Sequence, residues 1–152
     1  MPEPLTYQNT TARLQLPYLY PGQAQKEFTV NEALARLDAV THPVVLGELS
    51  EPPVAPLAGD CWVVGAAPSG LFAGHLDELA FFDGSQWSFV APPPGMAIYD
   101  RSSATIRRFT DGWSDPATID APTGGTTVDA EARQAIVALL QALAGLAVLK
   151  QG

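Results

Sequence analysis

A chain of 152 residues with net charge −8 and only eight lysines and arginines lacks the basic surface that a nucleic-acid partner requires. Its length fits one domain, or one small domain with appendages, and is enough to bury a modest core. Fourteen prolines and thirteen glycines beside 16% charged residues point to short strands and ordered loops rather than a helical bundle.

Residues 1–57 read as an N-terminal arm and helix. Pro2, Pro4, Pro17 and Pro21 discourage helix over residues 1–21, and LQLPYLYP is apolar and aromatic, which suits a segment lying on its own domain or on a neighbouring chain. The opening lacks a basic stretch followed by an apolar run, so no signal peptide is read. The next stretch, GQAQKEFTVNEALARLDAV, carries the first predicted helix. Thr29 and Glu32 have capping-box spacing, which predicts a start at Thr29. Ala33, Leu34, Leu37 and Val40 form an apolar stripe for packing, with Glu32, Arg36 and Asp38 off it. Pro43 disfavours the α conformation at His42, so the helix ends near Thr41 and His42 serves as a helix-end residue. Val44 to Leu46 make a short strand, and the proline-rich SEPPVAPLAGD is a connector.

Residues 58–115 read as a small antiparallel β module. CWVVGA is a buried strand. LAFFDGSQWSFV is a hairpin that turns at Asp83-Gly84, and GMAIYD pairs with TIRRFTDGW, with Asp111-Gly112 as the next turn signal. Phe81 and Phe82 must point to opposite faces. The single cysteine, Cys61, has no partner for an intramolecular disulfide and reads as a small buried hydrophobe, consistent with synthesis in a reducing cytoplasm. Arg107 and Arg108, the one adjacent basic pair, read as solvated side chains at a strand end.

Residues 116–127 have the composition of a linker, and residues 128–152 form a terminal helix capped by Thr127 or Asp129. Ile136, Leu139, Leu143 and Leu146 follow the 3-4-3 spacing of heptad core positions. The pattern serves equally a helix docked on its own domain and a bundle between copies, and the four residues are the candidate oligomerisation contacts. Gly145 weakens the helix by about 1 kcal/mol relative to alanine. The apolar run ends too soon to cross a bilayer, so no membrane insertion is expected.

No motif carries chemistry. The sequence has no GxSxG, HExxH, Walker or dinucleotide fingerprint, and two histidines, His42 and His75, are few for a metal site. No catalytic residue, metal or cofactor is assigned. Asp60, Asp77, Glu78 and Asp83 read as loop carboxylates rather than the acid and base of a glycosidase. The aromatic residues concentrate in the β module, and an exposed ring beside carboxylates suits a sugar face. Trp87, Tyr99 and Trp113 are the candidate glycan contacts.

LPYLYPGQAQKEFTVNEALARLDAV, then GDCWVVG, then SGLFAGH with LAFFDGSQWSFVAPPPGMAIYD, resembles a family of uncharacterised domains in structural proteins of alphaproteobacterial prophages and gene transfer agents. The resemblance covers about residues 12–100, and VDAEARQAI with LLQAL looks like the same family's terminal helix. The pattern has a tryptophan where this chain has Phe72, a change between aromatics that reads as a packing variation. The resemblance implies a virion structural protein, a head-spike or tail-fibre base assembled in the bacterial cytoplasm and released by lysis. Its partners would be copies of itself, as trimer or pentamer, other capsid or fibre proteins, and cell-surface polysaccharide. The alternative is a carbohydrate-binding module that itself contacts capsule or surface glycan. The expected fold class is α+β: an N-terminal capped helix, a small antiparallel β module of hairpins and a C-terminal helix.

Overall fold

The computed structural model describes residues 10–22, 24, 26–115, 117–125 and 129–149. The fold is α+β, with elements in the order α1 (Lys26–Val40), β1 (Val44–Val45), β2 (Glu48–Leu49), β3 (Cys61–Val64), a 3-10 turn (Gly70–Phe72), β4 (Leu79–Phe82), β5 (Trp87–Val90), β6 (Ala97–Asp100), β7 (Thr105–Arg108) and α2 (Ala130–Gly145). The chain divides into two compact units, Met1–Pro92 and Pro93–Gly152. Residues 58–115 contribute β3 to β5 to the first unit and β6 and β7 to the second.

In the first unit, the sheet runs β2-β3-β4-β5 and is mixed. β3, β4 and β5 are antiparallel, with Cys61 opposite Phe81 and Phe82 opposite Trp87. The hairpin at Asp83-Gly84 forms as the sequence predicts, by a division of labour. Gly84 takes the left-handed φ of 103°, and the Asp83 carboxylate accepts from Ser85 N, Ser85 Oγ and Gln86 N. The unexpected strand is β2, which pairs parallel to β3 (Glu48 with Val63). Two residues in a loop rich in proline give no periodic signal, and a parallel partner is a non-local choice. The close approach explains Gly65, where a Cβ would stand 2.9 Å from the Glu48 side chain.

Strand alternation places Trp62, Val64, Ala80, Phe82, Trp87 and Phe89 on one face of this sheet and Cys61, Val63, Leu79 and Phe81 on the other. The first face holds a core of Val64, Phe72 and Ala80, with Leu49, Trp87 and Phe89 against it. Phe72 comes from the 3-10 turn, is fully buried, and sets its ring edge-on to Trp87 (5.2 Å between centroids) and Phe89 (5.8 Å). His75 stacks on Phe89 at 3.7 Å and bonds Glu78 at 2.9 Å. On the second face, Cys61 and Phe81 border a cavity shared with Thr11, Arg13, Asp38 and Ala39.

Cys61 is buried and free. Burial above all pushes its thiol up to about 12, from 9.0. We expect Ellman's reagent to leave it untouched in the folded protein and to titrate it on unfolding; rapid labelling under native conditions would show that the site opens. The folded state keeps a proton that the unfolded chain releases near pH 9, so this contribution is whole below that pH and falls as pH rises toward 12.

Helix α1 departs from expectation in its boundary and its face. It starts at Lys26, so Thr29 lies inside the helix and is not its cap. The stripe read as the packing face is turned largely outward: Ala33 and Leu37 are exposed, and Leu34 and Val40 only half-buried. The buried residues are Glu27, Asp38 and Ala39. Glu27, Asn31 and Asp38, spaced by 4 and then 7, share the face that holds the arm. Asp38 accepts from Thr11 Oγ1 (2.9 Å), Arg13 N (2.9 Å) and Leu14 N (2.5 Å). Asn31 bonds both the N–H and the carbonyl of Leu19, and Glu27 accepts from Gly22 N. In return the Arg13 guanidinium donates to the carbonyls of Asp38, Ala39 and His42 and so caps the helix C-terminus. The physical reason is the arm's backbone. A segment with no strand partner must find acceptors elsewhere, and one helix face supplies them. The arm is accordingly not fully extended: it turns at Ala12 to Leu14, and Thr10 bridges Pro17. Its first nine residues lie outside the described residues.

In the second unit, β6 and β7 pair antiparallel, with Ile98 opposite Arg107, Tyr99 opposite Ile106 and Asp100 opposite Thr105. This register corrects the reading of Arg107. Arg108 is exposed, but Arg107 shares the inner face with Ile98, Asp100 and Thr105 and is buried. Its guanidinium lies 3.5 Å from Asp100 and donates to the Ser114 carbonyl at 3.0 Å. Asp100 also accepts from Ser102 N and Oγ. A buried charge requires such partners, and Asp100 and the Ser114 carbonyl supply them to Arg107. The Asp111-Gly112 turn is closed by the bridge between Phe109 and Trp113.

Candidate functional site

Asp129 caps α2 through Ala132 N at 2.9 Å; the other candidate cap, Thr127, lies outside the described residues. The Arg133 guanidinium donates to the carbonyls of Pro122 and Gly124, which ties the preceding segment to the first turns of the helix. At the far end, Val148 N bonds Leu143 O and Ala147 N bonds Ala144 O, with Ala147 at φ 57°. This is a Schellman closure with alanine in the left-handed position usually given to glycine. Gly145 is the last helical residue, where its flexibility weakens the helix least. Beyond it, Ala147 O accepts from Ile106 N, and Leu149 is buried beside Ala117.

Both ends of α2 are therefore held, yet none of its residues is buried. Val137, Leu140 and Ala144 form a half-buried line along one side. The heptad line lies on another: Ile136 is 42% exposed, Leu139 64%, Leu143 37% and Leu146 66%. Four large aliphatic side chains on one helical stripe in water amount to a contiguous apolar patch of the kind that marks interaction surfaces.

The three candidate aromatic contacts stand on three elements. Trp87, on β5, packs with Trp62 (5.7 Å), Phe72 (5.2 Å) and Phe82 (5.2 Å) and is half-buried. Trp113 is half-buried against Phe109 at 5.3 Å. Tyr99, on the outer face of the β6–β7 hairpin beside Ile106, is 39% exposed. Several loop carboxylates have structural partners: Asp60 accepts from Leu57 N, Glu78 from His75, and Asp83 holds its turn. Among the described residues, no group of three or more His, Cys, Asp or Glu is placed to hold a metal ion. No helix among them is long and apolar enough to cross a membrane.

These features define a class: a small α+β chain with an arm clasped by polar side chains and an outward apolar helix. More particularly, the chain belongs to the DUF2793 family of proteins of unknown function, whose model matches residues 30–114. The match opens in the second turn of α1 and closes at Ser114, the residue that accepts from Arg107. It includes Asn31, Asp38 and all of strands β1 to β7, and stops short of α2. No curated protein matches the chain.

Proposed function

We propose that this chain is a non-enzymatic structural protein of a phage or gene-transfer-agent particle, the base of a spike or fibre that joins the particle to an element binding the host surface. Copies associate through the α2 stripe. The observation that carries the reading is that stripe: Ile136, Leu139, Leu143 and Leu146 keep heptad spacing and are all left in solvent by their own chain. The resemblance of the GQAQKE–NEALARLD block to particle proteins supports the setting, and the particle would assemble in the cytoplasm and leave by lysis.

The test is the solution mass by light scattering after size exclusion, for the full chain and for a truncation ending at Thr126. A trimer or pentamer that becomes a monomer on truncation supports the reading, and Leu139→Glu with Leu143→Glu should act as the truncation does. Monomers throughout would remove self-assembly through α2. They would turn attention to a monomeric module that contacts glycan itself, with Tyr99 as the first residue to probe.

A further inference from the structure

A cleft of about 400 Å³ opens between the arm, the first turns of α1 and the β4–β5 hairpin. Glu27 and Glu32 from α1, Asp83 and Gln86 from the hairpin, and Tyr18 from the arm line it, and Phe28 stands at its rim, 72% exposed. No lysine or arginine is among the described lining residues.

The carboxylates differ in their partners. Glu32 is paired on the outside with Arg36 at 2.7 Å. Asp83 spends one oxygen on its turn. Glu27 is only 9% exposed; its Oε1 accepts from Gly22 N at 3.2 Å, and among the described residues its buried Oε2 has no hydrogen-bond partner. An uncompensated carboxylate oxygen in a buried position is costly, and a donor brought from outside would relieve that cost. Glu27 lines the cleft and the terminal torsion of glutamate is soft, so a rotation that moves both oxygens would turn Oε2 toward a donor there at the expense of the long 3.2 Å Gly22 bond. Burial first, then the Asp83 and Asp38 carboxylates, raise the pKa of the Tyr18 hydroxyl.

We infer that this cleft receives a cationic side chain, an arginine from a partner polypeptide, with its guanidinium on Glu27 and its plane against Phe28. The choice of occupant rests on charge complementarity. The Glu27 and Asp83 carboxylates have no lysine or arginine beside them among the described lining residues, a guanidinium supplies several donors to a carboxylate, and its positive charge favours both the carboxylates and the face of an aromatic ring, which a neutral ligand does not match. The inference rests on the cleft alone and is independent of assembly through α2.

The probes are the tripeptide acetyl-Gly-Arg-Gly-amide and its citrulline counterpart, which keeps the shape and removes the charge. Each is titrated into the full chain and followed by amide chemical shifts. The expected result is saturable shifts at Gly22, Glu27, Asn31 and Gln86 with Kd in the millimolar range, about tenfold weaker binding of citrulline, and weakening by salt. Glu27→Gln should abolish these shifts, and Glu32→Gln, at the paired outer residue, should largely keep them. Absence of saturable shifts, equal binding of the two peptides, or the same shifts produced by a neutral hexose at equal concentration overturns the inference. The comparison of peptides on the unaltered protein decides the matter even where Glu27→Gln does not fold.

Discussion

Phe72→Ala is expected to destabilise the first unit by about 3–5 kcal/mol, the range for removing a fully buried aromatic from a packed core. Phe72 has no exposed surface and meets Trp87 and Phe89 edge-on, beside Val64 and Ala80. Its removal takes away both aromatic contacts and leaves a void that a 3-10 turn, held by Ser69 N on Ser50 O and Phe72 N on Ser69 O, closes poorly. With domain stabilities of only about 5–15 kcal/mol, the variant would be marginal at physiological temperature. Urea unfolding followed by tryptophan fluorescence measures the change, since Trp87 lies against the altered site. A loss below about 1 kcal/mol would mean that Phe72 is not the centre of this core. Phe72→Trp, the residue that the resembled pattern carries, must fit a larger ring among the same neighbours. It should cost about 1–3 kcal/mol unless the turn shifts outward.

Asp38→Ala is the second large effect, expected at about 2–4 kcal/mol. The carboxylate is buried and accepts from three donors of the arm, two of them backbone N–H groups. Alanine would leave those donors without acceptors at a site closed to water. It would also loosen Arg13, whose guanidinium is positioned by the same turn to cap the helix C-terminus. Two observables separate this from a general loss of stability. Limited proteolysis should cut first between Thr11 and Tyr20 in the variant, and amide exchange should accelerate at Arg13 and Leu14 before it does so in β3 and β4. Asp38→Asn, which keeps one acceptor oxygen, should fall between the two. An unchanged cleavage pattern and an unchanged urea midpoint would show that the arm is held by other contacts.

What could be read directly from residues was local. Asp83-Gly84 between two aromatic runs marks a hairpin because one residue supplies a side-chain acceptor and the other a left-handed backbone. The end of α1 before Pro43, the β6–β7 pairing, the burial of Cys61 and the capping of α2 by Asp129 rest on similarly short-range chemistry. The α+β class and the existence of both helices followed from these signals.

Tertiary structure decided which face each element buries. In α1 the leucines and the polar residues each form a stripe, and period alone favours burying the leucines. The arm's unpaired amides reversed that choice, because satisfying them is worth more than covering Leu37. The spacing of Glu27, Asn31 and Asp38 was the available clue, but it is meaningful only once the arm is known to need acceptors. In β7 the register with β6 placed Arg107 inward beside Asp100, and one step of register would have exposed it. The short strand β2 exists only through its parallel partner β3. The heptad stripe of α2 was visible as a pattern from the start, but whether its own domain covers it depends on contacts between residues far apart in the chain. Its own domain leaves those side chains in solvent. Local chemistry thus determined the elements other than β2, and long-range hydrogen-bond demand and register, which no short window contains, determined their faces.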